Sequence, residues 1–369
     1  MLIYFVITSS YNPGCLHCHT TEKNNGNTSL FDNIVRSFIE VLKQTDAYTQ
    51  KSNGFTFVFH VGELLPVKEE SILRVCETIK ENMPDVKVKF LLQMPLTLIN
   101  ESVITLIKDC FDGSVNIPFD QEIRQTNISY PRFKFLWEKN VKYLREKGIH
   151  VTVNVALVGD TGRCISRFRS VVTYLKSLGI RDIHIEKFFL QGEFEKSKTL
   201  YIKDSEYFTF MNYLLDWYIE YLINWYRGRK TREDVIIINP LVQMLYLARF
   251  NRGASCFAGD CMRNILTLDC NGNVYPCPAF LFSERKVSFG NVLKNNAEEI
   301  LSNPKRVQLI IEQALLGCDG CEYVSFCHQG CPKQPFEITD RTVCRKFFKK
   351  LIDYSKRYKH IVDCLLGTF

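Results

Sequence analysis

The stretch FKFLWEKNVKYLREKGIHVTVNVALV, residues 133–158, decides the fold class. Its first part is amphipathic at helical spacing and ends on Gly148, a C-cap signal. A Val-rich strand, HVTVNVALV (150–158), follows directly. The same helix-then-strand grammar recurs outward in both directions. Strand-like runs stand at LIYFVIT (2–8), FTFVFHV (55–61), VKVKFLLQ (86–93), SVNIPF (114–119) and DIHIEKFF (182–189). Amphipathic stretches such as LFDNIVRSFIEVLKQ and KEESILRVCETIKENM lie between them. The strands carry too little alternation for sheets with one face in water, so helices are expected on their faces. Six such β-then-α units in series imply parallel strands joined by right-handed crossovers, an open or closed α/β barrel. Chemistry in such barrels sits at the C-terminal strand ends. The loop after the first strand, SSYNPGCLHCHT (9–20), therefore belongs to the functional face.

A chain of 369 residues has room for one large domain and a smaller one. The net charge of +7 is spread along the chain, and basic runs at 227–230 and 345–350 read as solvated helix faces. No nucleic-acid partner is expected from them. The opening MLIYFVIT lacks a basic n-region and a small-residue cleavage site, so it is not read as a signal peptide. No apolar run approaches the ~20 residues that span a bilayer. A cytoplasmic protein without a membrane partner is expected. Its 15 cysteines then sit in a reducing compartment, where clustered thiols read as metal ligands. From about Lys203 a long aromatic helix, SEYFTFMNYLLDWYIEYLINWYRGRK, changes the character of the chain. Beyond Asn251 the sequence is cysteine-dense and loop-rich as far as Cys344. The expected organisation is a barrel (1–202), a helical bridge (203–250), a cysteine-rich domain (251–348) and a C-terminal helix (349–369).

Within that third segment, CDGCEYVSFCHQGC supplies Cys318, Cys321, Cys327 and Cys331, with Cys344 beyond. Upstream stand Cys256, Cys261 and Cys277, the last closing the hairpin ILTLDCNGNVYPC with a tight turn at Asn271-Gly272. These thiols exceed the needs of one tetrahedral zinc and match two four-thiolate sites. Spacing alone leaves structural zinc and iron–sulfur both open.

The run Cys261-x10-Gly272-x4-Cys277, then Cys318-x2-Cys321-x5-Cys327-x3-Cys331, then Cys344, resembles the SPASM domain of radical S-adenosylmethionine (SAM) enzymes. The resemblance implies a partial (β/α)6 TIM-like barrel followed by a domain with two auxiliary 4Fe–4S clusters. Cys256, Cys261, Cys277 and Cys331 would hold one, and Cys318, Cys321, Cys327 and Cys344 the other. Cys270 is left as a spare thiol. In the barrel, Val61-Gly62-Glu63-Leu64 resembles the family's Gly-Gly-Glu-Pro segment, which binds the SAM amino group; only Gly62 and Glu63 match. Asp120 resembles the Asp of a Ser-x-Asp-Gly segment, and Gln93-Met94-Pro95 stands where the family carries Thr-Asn-Gly. These departures imply a remodelled pocket.

The family's first loop reads Cys-x3-Cys-x2-Cys, and Tyr11, Cys15 and Cys18 align with it without a gap. Three thiolates there would leave one iron open to SAM, whose reductive cleavage gives a 5′-deoxyadenosyl radical. Tyr11 is a harder ligand, with a phenol pKa near 10, although tyrosine ligates iron in catalase. His17, His19 and the distant Cys164 are other substitutes, whereas Cys76 and Cys110 read as packed thiols. Three readings are open: a core cluster with a substitute ligand, a non-catalytic relative that binds peptide or carries electrons, and an engineered inactivation. Retention of Gly62-Glu63 and both auxiliary sites favours the first, and an engineer would choose Ala or Ser.

The resemblance further implies a peptide or protein substrate modified by hydrogen-atom abstraction, and a reductase or flavodoxin-type electron donor. Sulfatase maturation is disfavoured, because that subgroup places a basic Asp after the hairpin cysteine and this chain places Pro278 after Cys277. A ribosomally made peptide is the expected substrate. No leader-recognition domain is expected before the first strand, so the peptide would dock on the barrel, on the cysteine-rich domain or on a separate partner.

Overall fold

The computed structural model describes residues 1–6, 28–50, 54–60, 69–96, 99–119, 130–187, 201–228, 231, 234–250, 261–281, 287–314, 318, 320–327, 330–331 and 341–367. The chain opens with β1 (Leu2–Val6), α1 (Thr28–Lys43), α2 (Asp46–Thr49), β2 (Phe55–His60), α3 (Glu69–Asn82) and β3 (Val88–Gln93). It continues with α4 (Glu101–Cys110), β4 (Ser114–Pro118), α5 (Tyr130–Glu146), β5 (His150–Leu157), α6 (Thr161–Ser177) and β6 (Asp182–Lys187). Next come α7 (Asp204–Arg227), β7 (Ile237–Asn239), α8 (Leu241–Phe250), α9 (Cys261–Asn264), β8 (Ile265–Asp269), β9 (Asn273–Tyr275) and α10 (Pro278–Leu281). The last elements are β10 (Gly290–Asn291), α11 (Ala297–Leu301), α12 (Pro304–Ala314), α13 (Val324–Cys327), α14 (Thr342–Arg357) and α15 (Lys359–Leu366). All six strands read from the sequence are present, and the result is the parallel α/β architecture expected.

Two compact units share these elements. The first takes residues 1–151 and 261–311; the described remainder falls in the second. Packing therefore does not follow chain order: β8, from the cysteine-rich segment, runs parallel to β1 (Leu2↔Ile265, Val6↔Asp269).

In the first unit the strand order is β10-β9-β8-β1-β2-β3-β4. The junction that decides the fold behaves as its sequence requires. Gly148 takes φ +76 at the end of α5. Its N–H donates to Arg145 O (2.9 Å) and that of Ile149 to Leu144 O (2.9 Å). This double closure is a Schellman cap, which needs a residue tolerant of left-handed backbone. The chain then turns straight into β5, where His150 N donates to Gly113 O at 2.7 Å.

The strands of this unit alternate more than their composition suggested. Ile3, Phe5, Phe55, Phe57, Phe59, Phe90 and Leu92 are buried. They form an aromatic layer against the helices, with Phe5–Phe38 centroids 6.1 Å apart and Phe59–Phe111 centroids 5.4 Å apart. The intervening Tyr4, Thr56, His60, Lys89, Gln93, Ser114 and Asn116 are only half-buried or exposed. One sheet face is thus a dense core, and the opposite face mixes these residues with buried Val6, Val58, Thr267 and Asp269. Phe-rich positions on the helix side mask a period of two in which Thr, Lys and Tyr take the opposite side.

The second unit carries β5, β6 and β7 as a parallel set (Asn154↔His184, His184↔Asn239). Against it, α7 buries Tyr207, Phe208, Phe210, Met211, Leu214 and Tyr218. Lys187 pairs with Asp204 at the start of this helix, where both side chains are nearly inaccessible. C-terminal helices α14 and α15 complete the core: Phe208 meets Phe347 and Phe348 at 5.8 Å. Arg249 clamps Asp363 bidentately at 2.6 and 3.1 Å. Among the described residues no helix is long and apolar enough to cross a membrane.

Candidate cluster and cofactor sites

At the C-terminal strand ends of the first unit, the register brings Val6, His60, Gln93 and Asn116 to one level on β1 to β4. Directly after these strands the sequence carries Tyr11, Cys15 and Cys18, then Gly62 and Glu63, then Asp120. Those six residues, and Cys256, lie outside the described residues. Gln93 is described: it closes β3 on the mixed face, half-buried, with His60 as its neighbour across the ladder.

His60 itself was missed by sequence reasoning. The residue is half-buried, and desolvation of its ring pushes its pKa down to about 4, because loss of water disfavours the imidazolium. A neutral imidazole at the rim offers one donor and one acceptor rather than a charge. Behind β4, Trp137 Nε1 donates to Pro118 O at 3.1 Å, and its ring packs 4.6 Å from Phe119. This fixes the strand that leads into Asp120.

At the same level on β8 stands Asp269, 6% exposed. Its carboxylate accepts from Asn271 N, Asn273 N and Asn273 Nδ2, each at 2.9 Å, and from the Tyr275 hydroxyl at 3.2 Å. Gly272 takes φ +84 in this three-residue loop. The turn foreseen at Asn271-Gly272 is therefore built on a buried carboxylate that the turn signal alone did not reveal. The hairpin separates Cys261, the first residue of α9, from Cys277, which precedes Pro278 at the first position of α10. Proline suits that position because its missing N–H would have no helical partner. Cys270 is half-buried at the loop, its thiol pushed up by burial.

The clearest thiol constellation is in the second unit. Cys321 N donates to Cys318 O at 3.0 Å around Gly320, whose φ is +72. Cys327 ends α13 and is buried, and Phe326 anchors that turn on Phe348 of α14 at 5.6 Å. Cys344, in the first turn of α14, donates its thiol to Arg341 O at 3.1 Å. Arg341 Nη1 in turn donates to Cys318 Sγ. Burial raises the thiols of Cys318 and Cys344, and each feels the charge of Cys321 as a further raising influence. Arg345 is held charged by its hydrogen bond to Cys321. Three of the four thiols assigned to one cluster thus gather around two guanidinium groups. Among the described residues no three Cys, His, Asp or Glu side chains form a group that could hold a metal ion. Thiolate sulfurs are the donor set of a four-iron cluster, and the residue types at these positions fit it. Cys331 is half-buried beside Gly330, which takes φ +90.

Cys164, weighed as a distant substitute at the core site, lies in the first turn of α6 rather than in a loop. It is fully buried and donates to Val158 O at 3.5 Å. Burial lifts its pKa to about 12. Such a thiol does not ionise readily and serves as packing. Cys76 and Cys110 are buried free thiols, as packed residues should be.

The chain shares the fold of radical SAM enzymes that bear a SPASM domain. Residues 256–332 match SPASM, the iron-sulfur cluster-binding domain. The chain is 22% identical over 371 residues to the cysteine-type anaerobic sulfatase-maturating enzyme of Clostridium novyi (strain NT), spanning 94% of this chain and 93% of that one. The structure of anSMEcpe with bound AdoMet and Cp18Cys peptide shares the fold, with a TM-score of 0.69 at 18% identity and 99% of each chain covered. Streptococcus suis SuiB bound to S-adenosylmethionine matches with a TM-score of 0.58 at 16% identity, over 93% of this chain and 76% of that one.

Proposed function

We propose that the chain is a radical SAM enzyme that modifies a peptide or protein by hydrogen-atom abstraction. Residues 1–202 would form the catalytic barrel and 251–348 the auxiliary-cluster domain. Gly62, Glu63, Gln93 and Asp120 would bind SAM. Cys15 and Cys18, with Tyr11 in place of the loop's first cysteine, would hold the core cluster. Cys318, Cys321, Cys327 and Cys344 would hold one auxiliary 4Fe–4S cluster, and Cys256, Cys261, Cys277 and Cys331 the other. When bound, SAM and a reduced cluster together supply a carbon-centred radical. The observation that carries this reading is the match of residues 256–332 to an iron-sulfur cluster-binding domain, in a chain where Cys318 and Cys344 both bond to Arg341 and Cys321 N donates to Cys318 O.

The protein's own residues have simpler tasks. Gln93 and neutral His60 offer hydrogen-bond groups to a bound cofactor or peptide from the mixed sheet face. The hairpin on Asp269 holds the chain between Cys261 and Cys277. The substrate is proposed to be a ribosomally made peptide, because Pro278 offers no side chain that takes a proton where sulfatase maturation calls for a carboxylate. A peptide partner accords with the relatives, since SuiB is known bound to its precursor peptide SuiA. A reductase or flavodoxin-type donor would deliver the electron.

Tyr11 favours a second reading, in which the core cluster does not assemble and the chain binds peptide or carries electrons without catalysis. Anaerobic incubation of the protein and its Tyr11→Cys variant with SAM and dithionite separates the two. The enzyme reading expects 5′-deoxyadenosine from both forms. Product from the variant alone would support the non-catalytic relative.

A further inference from the structure

Four thiols account for a cluster's ligands, but they do not account for Arg341 and Arg345. Both project from the start of α14, one turn apart and on either side of Cys344. Arg341 Nη1 donates to Cys318 Sγ, and the Arg341 carbonyl accepts the Cys344 thiol at 3.1 Å. Arg345 N donates to Arg341 O at 3.1 Å, which fixes the helical spacing of the pair. A guanidinium set against a sulfur is placed to meet the negative charge that the sulfur carries as a thiolate ligand. The N-terminal end of a 16-residue helix adds positive potential at the same place.

From this geometry we infer that Arg341 and Arg345 are positioning residues that raise the reduction potential of the cluster held by Cys318, Cys321, Cys327 and Cys344. The inference rests on the iron–sulfur reading given above. Its physics is direct. One-electron reduction adds a negative charge that is shared with the ligand sulfurs. Fixed N–H donors and cations beside those sulfurs stabilise the reduced form more than the oxidised one. The effect of Arg341 is expected to exceed that of Arg345, which is exposed and screened by solvent. The cluster would thereby become the better electron acceptor of the two auxiliary sites.

The test is a dithionite redox titration followed by EPR on anaerobically reconstituted protein, with iron counted in parallel. Arg341→Gln should leave iron content unchanged and move one component to lower potential by about tenfold in the reduction equilibrium, ~59 mV for a one-electron couple. Arg345→Gln should move the same component less, and Arg341→Lys should restore part of the shift because the charge returns without the planar fork. Unmoved components in Arg341→Gln and Arg345→Gln, at full iron content, overturn the inference. So does a rise in iron content in Arg341→Gln at unchanged potential, which would mean that the guanidinium fills the cluster's place. If Arg341→Gln loses four irons, Arg345→Gln and Arg341→Lys decide by the same criterion. A wild-type protein without auxiliary iron removes the underlying reading, an outcome distinct from an unshifted potential.

Discussion

Replacing Asp269 with alanine should loosen the β8–β9 hairpin and, through it, the segment between two assigned ligands. The carboxylate is 6% exposed. It takes two backbone N–H groups at 2.9 Å, from Asn271 and Asn273. Hydrogen bonds to charged groups contribute ~1.5–3 kcal/mol each. Taking the low end for both, because neighbouring bonds are coupled, gives about 3 kcal/mol. Hydrogen exchange reads this locally. The amides of Asn271 and Asn273 should lose roughly a hundredfold in protection, since each 1.4 kcal/mol is about tenfold. Amides of α3, remote from the hairpin, should keep theirs. Asp269→Asn, which retains an acceptor, should lose less than Asp269→Ala. Unchanged protection at both amides in Asp269→Ala would refute the idea that the buried carboxylate organises the turn.

Further outcomes are expected elsewhere. His60 has a folded pKa near 4 against an ordinary 6.5, so the unfolded chain binds more protons between those values. Stability from this group is complete above pH ~6.5 and falls as pH drops towards 4, by at most ~1.4 kcal/mol per unit; His60→Gln should flatten that part of a denaturation-midpoint profile. Trp137→Phe removes the bond to Pro118 O while keeping an aromatic ring, and should cost about 1 kcal/mol. If β4 positions Asp120, the same variant should weaken SAM binding in a calorimetric titration. The Arg249–Asp363 clamp holds the Asp363 carboxyl below its usual range. Its contribution is present above the unfolded pKa of ~3.9 and is lost as pH falls through the lower folded value. Hydrogen exchange should therefore show α15 losing protection at low pH in the natural chain, and Arg249→Leu should remove that pH dependence.

Much of this architecture is legible in the sequence because its signals are local. Gly148 marks the end of α5 whatever lies around it, and the six Val-, Ile- and Phe-rich runs become strands. The parallel pairing of β8 with β1 joins residues far apart in the chain, and no local pattern announces it. Strand β7 has three residues, too short for a periodicity to register. The mixed polar and apolar face of the sheet was hidden by the many phenylalanines packed on its other side. At the candidate sites, cysteine spacing pointed to the thiols but not to their companions. Arg341 stands outside any basic run and carried no signal, yet its guanidinium turns onto Cys318, while Arg345 is exposed as its basic run suggested. His60 and Asp269 carry no motif, and burial alone distinguishes them. The placement of Cys164 after the fifth strand suggested an available ligand, whereas the helix that starts at Thr161 buries it.

The central claim is that sulfur-held iron occupies the cysteine-rich part of the chain. Iron and acid-labile sulfide, counted in anaerobically reconstituted protein and in Cys318→Ala, test it most directly. The account predicts about twelve irons in the natural form, or about eight if the Tyr11 site stays empty, with about four fewer in the variant. A colourless protein carrying stoichiometric zinc, or iron that does not fall in Cys318→Ala, would contradict it.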